Sequence, residues 1–135
     1  MRVEWAVLCQ RAQKSSNAGW DLESVGRSGV MIDAPVSEAG FIAFLCLRID
    51  EADGVSASVE GRLRVFRPDG VELVRQEGEL RWEGGTGPTL VTPERLYLPV
   101  ELVFPLERGG VYRIEVWDGV SEWIVLPLYV SILGI

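Results

Sequence analysis

The chain contains no histidine. That excludes Ser-His and Cys-His nucleophile systems, histidine-ligated metals and the usual proton shuttle near pH 7. Lysine is almost absent too: Lys14 is the only one among thirteen basic residues, and the rest are arginine. Arginine holds bidentate ion pairs better than lysine does. Only two cysteines occur, Cys9 and Cys46, both inside apolar strand-like runs. They read as small buried hydrophobes, and a reducing compartment argues against a disulfide. No apolar run approaches the ~20 residues that a membrane-spanning helix needs. The opening MRVEWAVLCQRAQ does not serve as a secretion signal: Glu4 interrupts it, Trp5 to Cys9 is too short, and no small-residue cleavage site follows. The expected setting is cytoplasmic.

Positive charge is also in deficit. The net charge is −7 and the pI about 4.6. Such a surface repels nucleic acid and anionic membranes, so neither is expected as a partner.

What is present is an ordinary globular mixture, 47% hydrophobic and 24% charged. At 135 residues it supports a single domain, 1–135. Apolar residues recur at a spacing of two or in short solid runs, which is strand behaviour. Val3, Trp5, Val7 and Cys9 alternate on a first strand. Trp20 to Ile32 is a second extended segment, broken at Gly26 and Gly29. Phe41 to Ile49 is apolar on both faces and belongs in the middle of its sheet. Val59 to Phe66 alternates, and Pro68-Asp69-Gly70 turns the chain into Val71 to Trp82. Arg95 to Phe104 alternates with Pro99 on the outward set, which suits an edge or a bulge. A hairpin around Asp118-Gly119 and the run to Ile132 close the chain. About eight short strands separated by turn signals predict an all-β fold. We expect an antiparallel two-sheet β-sandwich, immunoglobulin-like or C2-like. Tyr112, shortly after Leu106 and the Gly109-Gly110 bend, has the placement of a tyrosine corner.

Trp5-Ala6-Val7-Leu8-Cys9, Ala12, Trp20-Asp21-Leu22, Gly26 and Ala34-Pro35 form one recognisable series. Gly110-Val111-Tyr112, the Asp118-Gly119 turn and the ending Pro127-Leu128-x-Val130 form a second. Together they resemble a family of small bacterial proteins of unknown function with β-sandwich character. The resemblance implies the fold and a bacterial cytosolic setting. It implies no activity and no functional residues.

Few residues form a chemical constellation. Asp50, Glu51 and Asp53 share one acidic loop, the arrangement calcium favours, with Asp33, Asp69 and Asp118 available from other loops. EF-hand spacing is absent, and acidic turns are common in sandwiches. Arg62, Arg64, Arg75 and Arg81 make a possible basic stripe, but Glu60, Glu72, Glu77 and Glu79 neutralise it as cross-strand pairs. The glycines of GGTG (84–87) lack a following helix and a nearby lysine, so they do not form a phosphate loop. Lys14-Ser15-Ser16 lacks the burial that would lower a lysine pKa. No cofactor and no catalysis are expected.

The hairpin of residues 108–126 carries the functional expectation. With Tyr112, Ile114 and Val116 inward, Trp117 faces out. A loop of two or four residues then puts Trp123 and Val125 inward and Ile124 and Leu126 outward beside Trp117. A three-residue loop reverses the second strand. An outward apolar patch of Trp117, Ile124 and Leu126 is either covered by the chain itself or marks an interface. The function expected is a non-enzymatic module that self-associates or docks a protein partner through this sheet. The alternative is a small-ligand or calcium-binding sandwich using the loops at one end.

Overall fold

The computed structural model describes residues 1–15, 19–25, 29–50, 54, 56–84 and 94–134. Ten strands run through it: β1 (Arg2–Cys9), β2 (Arg11–Lys14), β3 (Trp20–Glu23), β4 (Gly29–Ile32), β5 (Val36–Arg48), β6 (Ser56–Phe66), β7 (Glu72–Glu83), β8 (Arg95–Leu106), β9 (Gly110–Trp117) and β10 (Trp123–Ile132). The two strands beyond expectation come from the N-terminal third. Arg11 to Lys14 pairs with Trp20 to Glu23 as a small hairpin. The second extended segment breaks at Ser24, whose φ of 58° ends β3 before β4 begins.

The protein is a β-sandwich. One sheet has the order β1-β5-β8, and the other β4-β10-β9-β6-β7. All pairings are antiparallel except that of β4 with β10. The arrangement follows the immunoglobulin-like order. β1, β5 and β8 stand where strands A, B and E would be, and β6, β9 and β10 where C, F and G would be. Tyr112 completes the likeness as a tyrosine corner. Its ring is fully buried, and its hydroxyl donates to the Arg108 carbonyl at 2.8 Å. β5 is the middle strand of its sheet and β8, which carries Pro99, an edge, as the sequence pattern requires.

The core lies between the sheets. Phe41, Ala43, Leu45 and Leu47 of β5 face Leu63, Val65, Ile114, Val116 and Leu128 across the gap. Burying a side chain of this size stabilises by about 1.5–3 kcal/mol, so this layer dominates the energetics. The alternation on β1 departs from expectation. A bulge at Glu4 shifts the register, so Val3, Ala6 and Leu8 point inward with the core, and Trp5 pairs with Cys46 on the outer face.

The outer face of β5 is covered as well. Phe44 packs with Trp5, Trp20 and Tyr97 at ring-centroid distances of 6.3, 5.4 and 5.8 Å. Both cysteines are free and buried, and burial raises both thiol pKa values; at Cys46 the charge of Glu4 adds to the effect. Cys9 pairs with Ile42, four residues along β5 from Cys46. That is roughly 13 Å of strand, beyond the reach of a disulfide.

Candidate interaction face

The faces of the C-terminal hairpin are set by its loop. Trp117 pairs with Trp123, so the loop comprises residues 118–122. Asp118 builds it. Its Oδ1 accepts backbone N–H groups from Val120 at 2.6 Å, Ser121 at 2.9 Å and Glu122 at 3.2 Å, while its own N–H donates to the Glu122 carbonyl. Burial pushes the Asp118 carboxyl pKa up, but these three donors outweigh it and hold the group low. Gly119 takes a φ of 93°, and a Cβ there would stand 2.0 Å from Val59 Cγ2, so only glycine fits.

An odd loop reverses the second strand relative to a two- or four-residue turn. Ile124 and Leu126, expected outward, pack against the core opposite Val116 and Ile114. Trp123 and Val125, expected inward, lie on the outer face with Trp117. The expectation rests on loops of two to four residues; a five-residue loop closed by one aspartate gives the second strand the faces of the three-residue alternative. Of the three expected patch residues, only Trp117 stays outside.

A chain of ring and guanidinium contacts orders that outer face. The rings of Trp117 and Trp123 lie 5.3 Å apart. The guanidinium of Arg64 sits 3.7 Å from the Trp123 centroid and 5.2 Å from that of Phe66. Its Nε donates to Glu115 at 2.7 Å, and Arg113 approaches the other oxygen of Glu115 at 3.4 Å. Glu115 is only 5% exposed although it points away from the core. The arginines of the stripe are paired, but along their own strands rather than across them as expected: Arg62 with Glu60 on β6, and Arg75 with Glu72 and Arg81 with Glu79 on β7.

Beside this paired half lies an apolar half. Met31 on β4 is 70% exposed, Tyr129 on β10 is 55% and Val125 is 49%. Tyr129 pairs with Val111, also exposed, on the neighbouring strand. Sequence reasoning missed these residues. The signal was the doubly apolar run of 123–130, which guarantees an apolar outer face in any register. Met31 carried no signal, because its approach to β10 depends on a parallel crossover.

The acidic loop is described only in part: Glu51 and Asp53 lie outside the described residues. The Asp50 carboxylate stands 3.7 Å from Arg48 Nε. Among the described residues no group of three acidic or cysteine side chains converges on one point, and no helix is long and apolar enough to cross a membrane. Compared with protein-family models, curated proteins and solved structures, the chain matches none.

Proposed function

We propose that this protein is a non-enzymatic interaction module whose partner is a second copy of the chain, met through the outer face of β4, β10 and β9. The observation that carries the reading is the exposed row of Met31, Val125 and Tyr129 across adjacent strands. Contiguous exposed apolar area of this kind marks interfaces. The charge pattern favours a second copy over a basic partner. Despite the net charge of −7, the arginines nearest the row, Arg113 and Arg64, are matched by Glu115 within the chain. Two such faces can meet without like charges opposing each other, and a two-fold axis lets one patch serve both partners.

Light scattering over a range of concentrations tests this. The parent is expected to double in mass as concentration rises, and Tyr129→Glu to remain a monomer with an unchanged melting temperature in dilute solution. A parent that stays monomeric throughout, or a variant that associates as well as the parent, contradicts the reading.

A further inference from the structure

A second feature lies between the sheets, on the flank away from the apolar row. Strands β6 and β7 pair so that Gly61 stands directly opposite Gly78. Both belong to the inward set, between Val59 and Leu63 on one strand and Leu80 and Gln76 on the other. Two side chains are therefore missing from the inner wall at one place; Leu80 closes over Gly61, its Cγ 3.1 Å from where a Cβ would stand, and the space is left at Gly78. Neither glycine has a positive φ, so the backbone does not require glycine at either position. Glycine inside a strand weakens it relative to alanine, and it often marks a site where a ligand comes close.

The gap is real space. A Cβ built on Gly78 meets no heavy atom within 4 Å. Across from it, Leu45, Leu98 and Val100 of the facing sheet complete an apolar cavity of about 190 Å³. Its exposed lining residues are Gln76 to Glu79 on edge strand β7 and Arg62 on the neighbouring β6, so the cavity opens at that edge and a ligand can enter without unfolding.

We infer that this cleft binds a small, uncharged, apolar molecule about the size of one aromatic ring. The size follows from the volume: an apolar cavity of about 150 Å³ accepts benzene, whereas drug-sized sites begin near 300 Å³. The neutrality follows from the lining and the rim: Leu45, Leu63, Leu98 and Val100 offer no partner to a charge of either sign. Glu77 and Glu79 flank the opening, and Arg62, the cation that lines it, is already bonded to Glu60. An anionic head group would meet carboxylates there and no available countercharge. The site shares none of Met31, Val125 and Tyr129 with the proposed interface and does not depend on self-association.

Benzene is the probe, followed through the methyl NMR signals of leucine and valine. In the parent, saturable shifts are expected at Leu45, Leu98 and Val100. Gly78→Leu fills the space and should abolish those shifts while keeping or raising the melting temperature. Val100→Phe fills the cleft from the opposite wall and provides the same comparison if Gly78→Leu does not fold. The inference is overturned by a parent with no saturable shift up to the solubility of benzene. It is equally overturned by shifts confined to methyls elsewhere, or by shifts that persist in a folded filled variant.

Discussion

The guanidinium of Arg64 sits over the ring of Trp123, 3.7 Å from its centroid, and this contact ties β6 to β10 across the intervening strand β9. The same guanidinium covers Glu115, whose side chain is nearly buried. A carboxylate in that position needs its partner, because an unpaired buried charge is costly. Arg64→Ala should therefore destabilise by about 1–3 kcal/mol, less than for a wholly buried pair because Arg113 remains near Glu115. Arg64→Ala in a Glu115→Gln background should cost clearly less than the sum of the two single changes. Urea denaturation of the four proteins measures this, and strict additivity would show that the contact carries no coupling.

The tyrosine corner offers a test free of charge effects. Tyr112→Phe keeps the buried ring and removes only its bond to the Arg108 carbonyl. A loss of about 1–3 kcal/mol is expected, since a part-buried acceptor is left without its donor. Thermal melts check it, and an unchanged melting temperature would mean that water replaces the hydroxyl at no cost.

The hairpin faces can be tested by a pair of neighbouring charges. Leu126→Glu points into the core and should destabilise by about 3 kcal/mol or more. Val125→Glu points outward and should leave the dilute monomer as stable as the parent. The opposite ranking would restore the even-loop register and move the apolar face.

Acid stability should depend on Asp118. Its folded-state pKa is depressed, so it contributes stability that is present above the unfolded value near 4 and is lost as the pH falls through the folded value. Asp69, held low by its side-chain bonds to Arg67, acts in the same direction. Melting temperatures measured from pH 7 to pH 2 should fall less steeply for Asp118→Asn than for the parent, from a lower starting point. Equal slopes would place the acid sensitivity elsewhere.

The architecture could be read from the sequence because strand signals are local. The period of two, the doubly apolar run of β5, Pro99 on an edge and Tyr112 after its bend each report one strand's own surroundings. What failed was parity. The bulge at Glu4 and the five-residue loop after Trp117 each shift a strand by one residue, and a shift of one sends every later side chain to the other face. The Asp118 side chain that fixes the loop satisfies three N–H groups at once, and no periodicity announces that. The exposed apolar row was illegible for a further reason: Met31 joins Val125 and Tyr129 only through a parallel pairing of segments about a hundred residues apart, Gly29–Ile32 with Tyr129–Ile132.

The most direct test of the proposed face is photo-crosslinking from Met31, replaced by benzoylphenylalanine, in protein concentrated enough to associate. The account predicts a covalent dimer whose crosslinked peptide comes from β4 or β10 of the second copy, with the yield falling on dilution and lost when Tyr129 is changed to Glu. A covalent dimer joined through the β1-β5-β8 sheet, or no dimer at any concentration, would contradict it.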